Sequence, residues 1–233
     1  MSQVEFVGAQ YTKKPWGGEY LLCRTESSAL WCLSIGSKKS TSFHCHPIKR
    51  TGYVVISGSV QIDFMSSKKI LKAGEFINFR PGLFHKTTSI GGGSTILEVE
   101  SPDNKFDLLR LEDASGRDSS LIEDPDPQST CVNNLELRSE FYKVIDLGMY
   151  GSLYGLEARL IRFAAFDELR KWSSDDHFLM ILSGSLISNS KYPLPIPQRI
   201  LGPGDVINLR NMRRLEPVVE CDCFDISAIL FTR

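Results

Sequence analysis

The chain has 233 residues, 42% of them hydrophobic and 24% charged, with a formal net charge of −1. Its 27 Lys and Arg offset 28 Asp and Glu, and neither half carries a strong excess of one sign. That balance argues against a nucleic-acid or anionic-membrane partner. No apolar run approaches the ~18 residues of a membrane span. The opening MSQVEFVGAQ lacks the basic and apolar regions of a secretion signal, so a cytoplasmic protein is expected. The length suits one large β domain or two of about 100–120 residues.

In chain order the hydrophobic period is two, not 3.6. Strands are expected at 20–23 and 31–35. A more continuous apolar strand follows at 53–57. Gly58 turns into a stretch where Val60, Ile62 and Phe64 alternate with Ser59, Gln61 and Asp63. Further strands are expected at 75–79, 85–89 and 95–100, separated by SSKK, KAG, RPG and GGG. Helical pattern is thin, with short candidates near 106–112 and 163–172. Many short strands at regular spacing predict an all-β sandwich or barrel.

The sequence repeats itself. LKAGEFINFR at 71–80 returns as LGPGDVINLR at 201–210, and VVISGSVQI at 54–62 returns as MILSGSLIS at 180–188. Two segments in the same order predict a duplicated β module, with a small insertion in the later copy around KYPLPIPQR. The polar stretch at 115–134, rich in Ser, Asp and Pro, reads as an exposed linker. The expected organisation is an N-terminal module at 1–118, a linker at 119–137 and a C-terminal module at 138–233.

Six cysteines (Cys23, Cys32, Cys45, Cys131, Cys221 and Cys223) read as free thiols, because a chain of this length needs no disulfide framework. Cys221 and Cys223 would share a strand face about 6.5–7 Å apart, which is poor disulfide geometry. Histidine is scarcer, with four in the chain. On a strand His44 and His46 present both imidazoles on one face. His85 follows the tight turn RPGLF. Together the three would form an open site for one divalent transition metal, with vacancies for ligand or water.

The surrounding residues resemble the cupin superfamily. The first cupin motif, with its His-x-His, Glu and Gly, is matched by His44, His46 and Gly58, with Thr51 where the motif carries its ligand Glu. The second motif is matched by Gly74, Arg80-Pro81-Gly82 and His85, with Arg80 in a proline slot. The resemblance implies two tandem cupin jelly-roll barrels. Within the cupins, KKPWGGEY at 13–20 and LEVESPDNKFDLLRLEDASGR at 97–117 resemble the opening and closing stretches of the type II phosphomannose isomerase domain. Pro15, Trp16 and Gly17 match its opening, with Lys14 in place of Arg. Glu98, Asp107, Arg110, Asp113, Gly116 and Arg117 match its close, with Ser115 in a Tyr slot. That family has Gln where His44 stands.

The repeat offset puts Arg170 and Trp172 near the two metal histidines, Leu215 opposite His85, and His177 in the Glu slot. The second copy is therefore expected to hold no metal, and to pack on the first module or close a homodimer. If the isomerase resemblance holds, a metal on His44, His46 and His85 would polarise the oxygens of an open-chain sugar phosphate. Zinc is the first expectation, with iron, manganese or nickel as alternatives. A base would move a proton between neighbouring carbons through an enediol. Glu98 is the candidate base, although alternation alone leaves it either inside the barrel or facing solvent. Lys14, Arg80 and Arg110 are the candidate phosphate contacts. Arg110, Asp113 and Arg117 could equally form an ion-pair cluster closing the domain end. Two other readings stand beside this one. They are a three-histidine Fe(II) dioxygenase, since cupin thiol dioxygenases also lack the Glu ligand, and a non-catalytic cupin that binds a sugar or a partner.

Overall fold

A computed structural model describes residues 4–113, 116, 135–163, 168, 177–188, 199–209, 217–218 and 226–232. Among these residues the chain is all-β apart from one helix. The first half contains β1 (Glu5–Lys14), β2 (Gly17–Arg24), β3 (Ala29–Ile35), β4 (Phe43–Cys45), β5 (Arg50–Ser57), β6 (Ser59–Phe64), β7 (Lys68–Lys72), β8 (Phe76–Phe79), β9 (His85–Ser89), β10 (Ser94–Ser101) and β11 (Leu109–Glu112). After α1 (Leu135–Ile145) come β12 (Gly151–Leu153), β13 (Leu156–Phe163), β14 (His177–Ser183), β15 (Leu186–Ser188), β16 (Arg199–Leu201), β17 (Val206–Asn208), β18 (Pro217–Val218) and β19 (Ile226–Thr232). No helix among the described residues is long and apolar enough to cross a membrane.

Each half is built from two antiparallel sheets, as a jelly roll requires. In the first half they run β1-β2-β3-β10-β5-β8 and β11-β4-β9-β6-β7. In the second they run β12-β13-β19-β14-β17 and β16-β15-β18. Four strands of the larger sheet in each half share one order, β3-β10-β5-β8 in the first and β13-β19-β14-β17 in the second. Turn chemistry repeats as well. Gly58 and Gly184 both take φ +77°, a left-handed conformation that favours glycine. The acid after each Gly74 or Gly204 turns back to cap its own loop, Glu75 on the Lys72 N–H at 2.7 Å and Asp205 on the Gly202 N–H at 2.9 Å. Across the turn, the Glu75 carbonyl accepts from Val55 N–H and the Asp205 carbonyl from Ile181 N–H, each at 3.0 Å.

The larger sheet of the first half is covered on both faces, which explains why its strands read as nearly continuous apolar runs. One face carries Tyr20, Leu22, Leu30, Cys32, Val54, Ile56, Leu97 and Val99. It packs on Phe141 and Val144 of α1 and on Phe178, Met180, Ile229 and Phe231 of the second half. The other face carries Leu21, Trp31, Leu33, Tyr53, Val55 and Ile96, and lines the first barrel's interior. A separate interior cluster in the second half centres on Leu179, Ile181, Ala228 and Leu230.

Two elements differ from the sequence expectation. The helix anticipated near 106–112 is the edge strand β11, paired to β4 through Leu109–Cys45 and Arg110–His44. Asp107 accounts for this. Its carboxylate is committed to the backbone N–H groups of Ile48 (3.1 Å) and Lys49 (2.7 Å), which draws the segment against β4. Secondly, residues 135–137, assigned to the linker, begin α1. The rest of the linker at 119–134 lies outside the described residues, as do Cys131, Cys221, Cys223, Arg117, Arg170, Trp172 and Leu215. So do most of the helix candidate at 163–172 and the insertion around 191–199 up to residue 198.

Candidate metal centre and anion cavity

Three elements bring the histidines together. His44 sits in β4, directly opposite His85 at the start of β9. His46 follows one residue after β4 ends, in the turn that leads to β5. One potential ligand nitrogen from each lies within 4.8 Å of the others. All three are buried, with His85 at 0% exposure. Ring centroids are 4.6 Å apart for His44 and His85, and 5.1 Å for His44 and His46.

The second nitrogen of each ring fixes its tautomer. Nδ1 of His44 lies 2.9 Å from the Ser42 carbonyl, Nδ1 of His46 2.6 Å from the Asp107 carbonyl, and Nδ1 of His85 2.9 Å from the Leu83 carbonyl. A carbonyl only accepts, so each Nδ1 must carry the proton and each Nε2 must keep its lone pair. Nε2 of His85 is buried with no hydrogen-bond partner. Anchoring one ring nitrogen on a carbonyl while the other points at a common centre is the support that metal-ligating histidines need.

Electrostatics agree. Burial lowers His46 to about 3, helped by the Lys49 cation, against the opposing bond to Asp107. Burial also lowers His85 to about 4. His44 is held well below the usual imidazole range by burial and by the other two histidines. Three imidazoles that stay neutral far below pH 7 are ready ligands, with no proton to displace. The donor set therefore fits a divalent ion of the zinc, iron or nickel type. Thr51, in the slot where the cupin motif has Glu, is 0% exposed on β5, and its hydroxyl has no hydrogen-bond partner.

Beside the cluster lies a cavity of about 100 Å³. His44 and His46 line it together with Lys14, Glu19, Lys49, Glu98, Glu100, Lys105, Arg110 and the aromatic walls Trp16 and Tyr53. Of the candidates named from the sequence, Lys14, Glu98 and Arg110 are brought to this cavity. Arg80 is exposed just after β8 and is not among its lining residues. Glu98 faces inward and is 8% exposed. Burial, then the neighbouring Glu100 charge, raises it to about 8, against the pull of Lys49 and Lys105.

Alternation from Glu98 also yields Glu100, two residues on and on the same face. The buried pair Lys49–Glu100 is 2.6 Å apart with side chains 3% and 4% exposed. The Trp31 indole N–H donates to the other Glu100 oxygen at 2.9 Å. Lys105 bridges to Glu19 at 2.9 Å, and its ammonium stands 3.3 Å from the centroid of the Trp31 ring. Burial alone would raise Glu19, but Lys105 and Lys14 outweigh it and hold the carboxylate below its usual range. Four cations thus face two carboxylates and a third, Glu98, that keeps its proton at neutral pH. The excess is positive, and the cavity favours an anion.

His177 begins β14 and occupies the position of Thr51 in the second half. Thr51 pairs with Glu100 across β5–β10, and His177 pairs with Thr232 across β14–β19. Leu179 and Leu230, the counterparts of Tyr53 and Glu98 in that register, are apolar. His177 borders a depression with Tyr150, Glu157, Leu230 and Thr232. Cys23, Cys32 and Cys45 are free and buried. Burial pushes the Cys23 and Cys32 thiols up to about 12, so both are unreactive at neutral pH.

No family model matches the sequence, and no curated protein does. Among solved structures, KdgF from Halomonas sp. is 15% identical over 42% of this chain and 88% of its own, with a TM-score of 0.39. A Klebsiella pneumoniae protein with a double-stranded β-helix domain is 22% identical over 41% of this chain and 84% of its own, with a TM-score of 0.38. A putative sugar phosphate isomerase from Acidithiobacillus ferrooxidans is 18% identical over 32% of this chain and 50% of its own, with a TM-score of 0.31.

Proposed function

We propose that the N-terminal module, taken as residues 1–118, holds one divalent transition metal on His44, His46 and His85. Beside it, the cavity binds a small acidic ligand of the sugar-phosphate type, and Glu98 moves a proton on that ligand. The observation that carries this is a cluster of three Nδ1-anchored, neutral imidazoles, two of which, His44 and His46, line a cationic cavity that also contains a carboxyl group poised near neutrality. A divalent ion bound there would polarise ligand oxygens and acidify the adjoining C–H. Lys14, Lys105 and Arg110 neutralise the ligand's anionic group. Trp16 and Tyr53 keep water from the reacting carbons. Ionised Glu98 accepts the proton from the hydroxyl-bearing carbon next to the carbonyl and returns it to the former carbonyl carbon, while the hydroxyl proton passes to the former carbonyl oxygen, as an aldose–ketose interconversion requires. At about 100 Å³ the cavity accommodates the reacting end of such a ligand, with its remainder at the mouth.

The test is proton exchange. Metal-loaded protein is incubated with a panel of hexose phosphates in D₂O, and NMR follows deuterium entering next to the carbonyl. The wild type should exchange at least one of them. Glu98→Gln should slow exchange by roughly 10²–10⁴-fold while calorimetry shows the ligand still bound. Because the ionised form is the base, the logarithm of the rate should rise with pH and then level off, with the bound cation drawing that plateau below the value of about 8 that burial and Glu100 set in the metal-free chain. Binding without exchange would leave a ligand-binding module, and no binding by any member would overturn the sugar-phosphate reading. A second reading, a three-histidine Fe(II) dioxygenase, is favoured by one observation: the cluster contains no carboxylate, and Thr51 stands in the carboxylate slot. Iron in the native protein, together with ligand-dependent oxygen uptake, would put that reading ahead.

A further inference from the structure

The first barrel's β5 and β8 are one strand thick between the metal centre and the second half, and their side chains alternate between the two. On β5, Thr51 and Tyr53 face the barrel interior, whereas Arg50 reaches Asp205 at 3.4 Å and Gly52 faces the Gly204–Val206 backbone. On β8, Phe79 stacks on the His85 ring at 4.0 Å between centroids and 17° between planes. Its neighbour Asn78 points the other way. The Asn78 carboxamide donates to the Val206 carbonyl at 2.8 Å and accepts from the Val206 N–H at 2.7 Å. One side chain thus makes both bonds of a β-ladder pair with β17, although β8 and β17 belong to different sheets.

Register ties the two faces together. Gly52 pairs with Asn78, and Thr51 pairs with Phe79. The outer pair meets the second half, and the inner pair includes Phe79, whose ring stacks on His85. Contact at the outer pair is close, since a Cβ on Gly52 would lie 2.8 Å from both the Gly204 carbonyl oxygen and a Val206 methyl. A shift of β17 must therefore move Gly52 and Asn78, and with them the ring that fixes His85.

We infer that the second half is a buttress for the metal centre, and that Asn78 is the positioning residue through which it acts. This rests on the metal-site reading above. Packed interiors transmit displacement rather than absorb it, and groups that orient metal ligands typically change metal affinity 10–100-fold when removed. The duplicated module is thereby given a role that needs no ligand of its own.

Cobalt(II) reports both affinity and ligand geometry through its visible spectrum, without any turnover. Asn78→Ala should weaken cobalt binding by about 10–100-fold and shift the spectrum, with all three histidines intact. Asn78→Asp keeps an acceptor for the Val206 N–H but sets a second oxygen against the Val206 carbonyl, so it should perturb the same contact and shift the spectrum while the chain still folds. Gly52→Ala perturbs the same contact by a steric route and should shift the spectrum likewise. Ser28→Ala is the control. It removes a 2.6 Å bond to the Leu182 carbonyl elsewhere between the halves, and should lower the melting temperature without moving the cobalt spectrum. If Asn78→Asp and Gly52→Ala fold and bind cobalt with wild-type affinity and spectrum, the inference is overturned. An equal spectral change in Ser28→Ala would also overturn it, by showing a general loosening. A wild type that binds no cobalt would overturn the metal reading itself.

Discussion

Alanine at His46 should reduce the metal content of the purified protein from one equivalent to background. His46 is one of the three proposed ligands in the cluster found among the described residues, and its ring is fixed by the 2.6 Å bond to the Asp107 carbonyl. Two imidazoles make a weak site for a divalent ion that prefers four ligands. Alanine at His177 should leave the content unchanged, because the cluster is made of His44, His46 and His85. Elemental analysis of wild type and both variants, purified side by side, checks this. Metal persisting at one equivalent in His46→Ala would show that the assignment of the site is wrong.

Replacing Lys49 with methionine should cost about 3–5 kcal/mol of stability, the usual result of stranding one member of a buried ion pair. The side chains of Lys49 and Glu100 are 3% and 4% exposed and 2.6 Å apart, so solvent cannot compensate the carboxylate left behind. For a chain of this size the expected fall in melting temperature is about 6–20 °C. The double variant Lys49→Met/Glu100→Gln should recover most of the loss, since the amide oxygen can still accept from the Trp31 indole N–H. Differential scanning calorimetry of the single and double variants decides the matter. A single variant that melts with the wild type would show that the pair is not buried as described.

Much of the first half was legible because its strands carry a period-two signal. All of the strands expected between 20 and 100 form, and Gly58 turns where the sequence places it. The duplication was legible for a local reason. Gly74 with Glu75, and Gly204 with Asp205, each make a self-capping turn whose glycine and acid cannot be exchanged freely. The continuous apolar run at 53–57 reflects cover on both faces, but nothing in it names α1 and the second half as the cover. That partnership is set by long-range packing, which leaves no spacing in the sequence.

The histidine cluster was legible in the sequence, and its surroundings less so. His44 and His46 were readable from i, i+2 spacing, although β4 ends at Cys45 and His46 lies in the turn beyond it. Glu98 was nominated from alternation, and the same rule gives Glu100, which was overlooked. Lys49 and Lys105 lie in loops, where no period constrains a side chain's direction, so only the fold reveals them, and Asp107, matched in the closing stretch, shows its bonds to Ile48 and Lys49 only in the fold. Arg80 fails for a related reason, because a residue just past a strand end need not follow that strand's alternation. At 106–112 the sequence Phe-Asp-Leu-Leu-Arg-Leu-Glu offers apolar residues at both helical and strand spacing. Pairing with β4 settles it as a strand and leaves Leu109 and Leu111 exposed.

If the three neutral histidines of the first barrel hold one divalent transition metal, an anomalous difference map from crystals grown with cobalt should show it directly. A single strong peak should lie within bonding distance of Nε2 of His44, His46 and His85, and none at His177. A map without a peak among those three nitrogens, at full cobalt saturation, would contradict the metal reading.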